Sequence, residues 1–270
     1  LSLFQSVVLG FIQGVTEFLP ISSTAHLALF PWFLSWSDPG LAFNVALHLG
    51  TLVAVVYYFW KDLFLIAKEF VIGVSLGSFK DYSNGKLGFF IIISTIPGAL
   101  FGFFLEEYAA GILRHPLAIA LSLFVFGIVL YISDRFSRKR RDMLDMNIFD
   151  CLVIGLAQAF AVIPGVSRSG VTIAGGLVRN LKRDEAARFS FLLGTPLIAG
   201  ALVLELRHID YATVSSLPFV SGILTSSVFG FLSIKYMLRY VQTRSYTVFV
   251  LYRIVLALVI LGTWLYKNGV

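Results

Sequence analysis

Six stretches of this chain are apolar over about the length that a lipid bilayer demands: Leu41–Trp60, Leu87–Leu105, Leu117–Ile132, Phe189–Leu204, Leu217–Ile234 and Val248–Tyr266. A hydrocarbon core about 30 Å thick takes roughly 20 residues of helix to cross. No water inside it can satisfy an unpaired backbone amide, so each run is expected to be helical. Aromatic residues gather near the run ends, at Tyr57, Tyr58, Trp60, Tyr131, Trp264 and Tyr266, as rings with a polar tip do at a membrane interface. The runs are continuous, without the alternation of barrel strands, which argues against an outer-membrane barrel. With 58% hydrophobic and 13% charged residues, the chain also lies outside the range of soluble domains. An all-α polytopic membrane protein is predicted, one integral membrane domain over residues 1–270.

Two further hydrophobic segments fit badly. Residues 4–30 are interrupted by Gln13, Glu17, Pro20 and Ser22-Ser23-Thr24, and residues 148–178 by Gln158, Pro164, Gly165 and Ser167-Arg168-Ser169-Gly170. Backbone that breaks at membrane depth is tolerated where protein or a watery cavity surrounds it. Both segments are therefore expected to be re-entrant helical hairpins that enter and leave on one side. They also resemble each other: Gln13 pairs with Gln158, Pro20 with Pro164, Ser23 with Ser167, and Gly50-Thr51 with Gly194-Thr195, at a nearly constant offset. This implies a duplication, with one half over about 1–133, the other over about 148–266, and a basic loop at 134–147 between them. Each half holds one hairpin and three spans. An odd number of crossings turns the halves opposite ways, giving an inverted-topology repeat whose interrupted segments meet near the midplane.

Charge placement agrees. The loops Lys61–Lys86, Asp134–Asn147, Arg179–Arg188 and Lys235–Arg244 fall on one side in this topology. They hold all of the 21 Lys and Arg residues except Arg114, Arg168, Arg207, Arg253 and Lys267. The positive-inside rule puts that side in the cytoplasm and both termini outside. The net charge of +6 then needs no nucleic acid as partner, and the loop from Asp134 reads as touching acidic lipid heads. Glu106 and Glu107 read as outer-loop surface. Cys151 is the one cysteine, so an internal disulfide and a thiolate metal cage are both excluded. The opening residues lack the basic start and cleavage site of a signal peptide; they also lack an initiator Met, as in a chain trimmed of its first residue.

The interruptions carry the chemistry. In "PGVSRSGVT", Pro164 to Thr172, Pro and Gly end one helix, and Ser167, Ser169 and Thr172 suit the start of the next. N–H groups at a helix start attract phosphate, which makes Ser167, Ser169, Gly170 and Thr172 candidate ligands. Arg168 adds a permanently charged planar fork that matches phosphate; a structural ion pair with Glu17 is the plainer alternative. In "PISSTAH", Pro20 to His26, Ser23 is the candidate nucleophile, and His26 shares its helix face as candidate base. Glu17 suits orienting the imidazole, acid–base work, or sharing a divalent cation with phosphate. Ser22 and Thr24 read as caps or as further phosphate contacts, and Gln13, one turn before Glu17, joins the candidate pocket. Asn44 and His48 lie one turn apart and read either as cavity lining or as a helix–helix hydrogen bond. Arg253 reads as a snorkelling cation. Two familiar motifs are absent: Gly165–Ser169 lacks the second Gly of a nucleophile elbow. Ala174 stands where lipid-phosphatase relatives of acid phosphatases carry a His.

The strings "QGVTEFLPISSTAHL" and "PGVSRSGVTIAGG", trailed by "LGTLVAVVYYFWKDL" and "AARFSFLLGTPLIAGA", closely resemble the bacitracin-resistance family of undecaprenyl-diphosphatases, over essentially the whole chain. The resemblance implies removal of the terminal phosphate from undecaprenyl diphosphate on the outer face of the cytoplasmic membrane. That reaction recycles the lipid carrier for peptidoglycan and other envelope polymers and confers bacitracin resistance. It further implies two re-entrant hairpins, an outward-facing site, a divalent cation (Mg²⁺ or Ca²⁺) and a homodimer. Carried over by position, Glu17 matches the second acid of the family's first motif, Ser23 and His26 the nucleophile and its partner, and Arg168 the phosphate-binding arginine. Gln13 departs from the Glu of many members, and Ala25 from the usual Gly. The expected mechanism holds phosphate on Arg168 and the amides near Ser167–Gly170 while Ser23 attacks, assisted by His26 and Glu17; attack by histidine is the variant. A transporter or lipid flippase of inverted-repeat type is the rival reading.

Overall fold

A computed structural model describes residues 1–205 and 215–269, apart from the side chains of Glu106, Glu107, Ala109, Ala110 and Glu205. Arg207 and the surface role expected of Glu106 and Glu107 thus lie outside the described residues. Among these there are 11 α-helices and no strand, with one isolated bridge between Arg141 and Leu181. In chain order the helices are α1 (Leu3–Phe18), α2 (Ser23–Leu34), α3 (Leu41–Tyr58), α4 (Trp60–Leu76), α5 (Ser83–Ala110), α6 (Pro116–Phe136), α7 (Ile148–Ala159), α8 (Arg168–Val178), α9 (Arg183–Glu205), α10 (Leu217–Val241) and α11 (Thr247–Lys267).

Six are long and apolar enough to cross a membrane: α3, α5, α6, α9, α10 and α11. They are the six apolar runs of the sequence, extended by about one to two turns at several ends. Their outward faces carry large apolar side chains such as Phe103, Phe104, Leu121, Leu224 and Leu258, all more than half exposed, as lipid-facing surface requires.

Residues 61–76, expected within a loop, instead form most of α4. The misreading has a physical cause: the two acidic residues of α4 are taken up by neighbouring elements, while Lys61 and Lys68 stay exposed. Asp62 accepts from Arg188 of α9 at 2.8 Å, and Glu69 accepts from the Asn84 and Gly85 amides at 2.9 and 3.2 Å, capping the start of α5. The apolar residues Phe64 and Val71 are left facing outward.

The two interrupted segments are two pairs of short helices, α1–α2 and α7–α8. Pro20 lies in the first break; a short 3₁₀ turn, Phe160–Val162, precedes the second. Each break ends at a serine held at positive φ, Ser22 at φ 73 and Ser167 at φ 72. Such residues store of order 1–3 kcal/mol and persist only where their surroundings enforce them. Each serine caps the helix it precedes, its side chain accepting from the amide three residues on, Ala25 and Gly170 respectively. The matching caps align Ser22 with Ser167, so Ser23 falls opposite Arg168. That corrects the register read from sequence, which set Ser23 against Ser167.

At the basic end, buried Asp150 at the start of α7 receives Arg141 at 2.7 Å and Arg179 at 2.6 Å. Burial alone would raise its pKa. The two guanidinium bonds and the Asn147 amide outweigh that and hold it below the usual carboxylate range.

Candidate active site

The last turn of α1 presents Glu17, 7% exposed. Gln13, one turn earlier, donates its Nε2 to Glu17 Oε2 at 3.0 Å. Ser23 is the first residue of α2, and its hydroxyl donates to the same Oε2 at 2.6 Å, a short charge-assisted bond. Arg168, the first residue of α8, donates Nη2 to Glu17 Oε1 at 3.2 Å and Nη1 to the Ser190 carbonyl at 2.9 Å. Room for that guanidinium comes from Gly194 of α9, where any Cβ would overlap it. His48 of α3 closes the group. Its Nδ1 faces the Asn44 carbonyl at 2.7 Å and so must carry the proton there, which leaves Nε2 3.6 Å from Glu17 Oε2.

Glu17, Ser23, His48 and Arg168 line one cavity of about 310 Å³, together with Ser22, Thr24, Gln158 and Ser167. The rest of its wall is apolar, with Val45, Val162, Leu197, Ile198 and Leu202. A polar end built from two helix starts thus opens onto a greasy one. The arrangement suits a ligand with an anionic head and a hydrocarbon tail.

Residues 6–259 match the family model described as bacitracin resistance protein BacA. The chain belongs to that family. A protein of Moorella thermoacetica named undecaprenyl-diphosphatase is 50% identical over 266 residues, covering 98% of this chain and 99% of its own. Proteins of the same name from Desulforudis audaxviator and Caldicellulosiruptor bescii are each 45% identical, over 96% and 98% of this chain and of their own length.

Within this BacA-family chain the structure sorts the expected residues. Glu17, Ser23, Arg168 and Gln13 come together. Ser22 does more than cap: its Oγ also accepts from the Gly165 amide at 3.2 Å, tying one break to the other. Thr24 lies on the cavity wall beside it, 3.1 Å from Ser22 Oγ. Ser167 Oγ occupies the Gly170 amide at 3.1 Å, so that amide is closed to phosphate. The Arg168 and Ser169 amides, in the first turn of α8, remain the open donors there. Ser169 donates to the Leu19 carbonyl at 3.1 Å, and Thr172 meets Ser190 Oγ at 2.7 Å. Both hold the helices together behind the cavity.

His26 does not reach Ser23. Its Nδ1 lies 2.7 Å from the Ser22 carbonyl and its Nε2 2.7 Å from the Tyr252 hydroxyl, with the two rings stacked. The two residues do project from neighbouring faces of α2, but His26 is turned toward α11 and Ser23 toward the cavity. The hydroxyl's proton acceptor is Glu17, and the histidine beside it is His48.

Arg253 is corrected too. It does not snorkel: it is wholly buried and donates to carbonyls of both breaks. A charged residue inside an apolar run was the available signal; what it faces was not.

A divalent cation shared with phosphate would meet one carboxylate in the cavity wall, Glu17. Among the described residues no group of three or more His, Cys, Asp or Glu side chains converges. Glu17, the carboxylate in the cavity wall, already receives Gln13, Ser23 and Arg168.

Proposed function

We propose that this chain hydrolyses undecaprenyl diphosphate to the monophosphate and inorganic phosphate. The observation that carries this is the 2.6 Å bond from Ser23 to Glu17, on a carboxylate gripped from the other hairpin by Arg168. The names of the relatives point to the same reaction, and the apolar wall suits a polyprenyl tail. A carrier needs the arginine and the helix starts but has no use for a serine hydroxyl bonded to a carboxylate, which disfavours the flippase reading.

In the proposed sequence the terminal phosphate lies against Arg168 and the open amides of α8. Ser23 Oγ attacks its phosphorus while the hydroxyl proton passes to Glu17. The bond to the bridging oxygen breaks, and undecaprenyl phosphate leaves with its tail still in the lipid. Water then attacks the phosphoserine, Ser23 Oγ departs and takes back a proton, and phosphate is free. His48 Nε2, facing Glu17, is the group that exchanges protons with that carboxylate. Any Mg²⁺ or Ca²⁺ dependence we assign to the diphosphate itself, as a cation brought in by the substrate.

The same reading takes α1–α2 and α7–α8 as re-entrant hairpins of an inverted repeat, with the site open to the outer face and both termini outside. The matching caps at Ser22 and Ser167 and the basic residues massed at one end support it. The homodimer implied by the family resemblance belongs to this reading and is tested by light scattering on purified protein.

Phosphate release from a long-chain polyprenyl diphosphate by purified protein in detergent tests the whole. Wild type should release phosphate, and Ser23→Ala and Arg168→Ala, both folded, should lose at least about a thousandfold. A folded wild type that releases none, with any cation, would move the assignment to a lipid carrier.

A further inference from the structure

Arg253, in the second turn of α11, heads the fully buried side chains by size. Its guanidinium enters between the two helix pairs from behind the cavity. Nη1 donates to the Pro20 carbonyl at 3.1 Å, in the α1–α2 break. Nη2 donates to Gly165 at 2.8 Å and Val166 at 3.1 Å, in the α7–α8 break. Nε donates to Leu123 at 3.0 Å, which anchors the group on α6. One planar fork therefore satisfies carbonyls that the breaks have stripped of helix partners. A lysine, with three donors on a point charge, cannot span the same set.

Its charge is also uncompensated. None of the ion pairs among the described residues includes Arg253. A buried cation without a counter-ion is expensive to keep, and here carbonyl dipoles alone solvate it. It stands directly behind the start of α8, where a Cβ added at Gly170 would lie only 3.1 Å from Nη1.

We infer that Arg253 is a positioning residue for the reaction: it pins the two breaks to each other, and so holds Ser23 in line with a phosphate on Arg168. Its unpaired charge acts on that phosphate through the helix starts. The inference rests on the phosphatase reading for its kinetic half only.

Two measurements on Arg253→Lys test it. Hydrogen exchange should speed up in residues 19–26 and 163–171 together, while the α4–α5 contact stays protected. In the phosphate-release assay kcat should fall on the order of a hundredfold with KM little changed, as for a reacting group displaced by about 1 Å. Exchange rising in α11 alone, or near-normal kcat in a folded variant, would overturn the inference. Where Arg253→Lys does not fold, Arg253→Ala supplemented with ethylguanidinium serves: recovery with ethylguanidinium and not with ethylammonium is expected, and no recovery, or equal recovery with both, counts against it. If wild type releases no phosphate, the phosphatase reading falls, and the exchange experiment still decides whether Arg253 joins the breaks.

Discussion

Which histidine the proposed mechanism can use turns on what each ring nitrogen touches. His48 has one nitrogen fixed on a backbone carbonyl and the other facing Glu17. His26 has both engaged, one on Ser22 and one on Tyr252. His48→Gln is therefore expected to lower kcat roughly a hundredfold, the scale of a lost general acid–base group. It should also change the shape of the pH–rate profile. His26→Gln, by contrast, should leave that shape intact and lower thermal stability by about 1–3 kcal/mol, through the Ser22 carbonyl and Tyr252 hydroxyl left without their partner. Ser23, Glu17 and Arg168 were legible in the sequence because hydroxyl, carboxylate and guanidinium have few reasons to interrupt an apolar run. The expected contact of His26 with Ser23 is not formed, because helical spacing says which side chains share a face, not what that face meets. Arg253 was misread for the same reason.

The proposed nucleophile Ser23 and phosphate ligand Arg168 stand at the first turns of α2 and α8, and other helices make space for them. Gly194 of α9 is the clearest case, since its missing Cβ is the space the Arg168 guanidinium occupies. Gly194→Ala should cut phosphate release by about a hundredfold through displacement of that group, with the melting temperature close to wild type. Comparison of kinetics and melting curves on one preparation checks it. The start of α7 carries a different kind of prediction. Asp150→Asn weakens the bonds to Arg141 and Arg179 and should cost about 1–3 kcal/mol, read from thermal unfolding in detergent. The folded carboxyl is held below its ordinary value near 3.9. Its contribution is therefore fully present above about pH 4 and lost as pH falls through the depressed folded pKa. Wild type should lose stability there, and Asp150→Asn should lose less. At this scale the sequence yielded the spans and both breaks, because lipid demands long apolar helices and permits few interruptions. It concealed α4, whose acidic residues are taken up by neighbouring elements while Phe64 and Val71 face out, against the pattern of a soluble helix. It also missed the one-residue shift between the matching caps of the two breaks, Ser22 and Ser167.

For the molecule as a whole, the massing of basic residues at one end is the basis for orientation. Cys151 is buried, so a single added cysteine reports cleanly. In intact cells, Asn268→Cys should react with a membrane-impermeant maleimide and Arg138→Cys only after permeabilisation; the opposite pattern would invert the molecule in its membrane. Within that frame the Arg168–Glu17 contact joins the pairs α1–α2 and α7–α8 across the cavity. It also gives Arg168 a partner of its own within the cavity wall. An incoming diphosphate must take Arg168 from a carboxylate already holding it, and once the anhydride is split the small phosphate left behind faces the same competitor. On the proposed mechanism Glu17 is then an ejector as well as a base: recapture of the arginine displaces the product, and turnover is expected to resist a build-up of free phosphate.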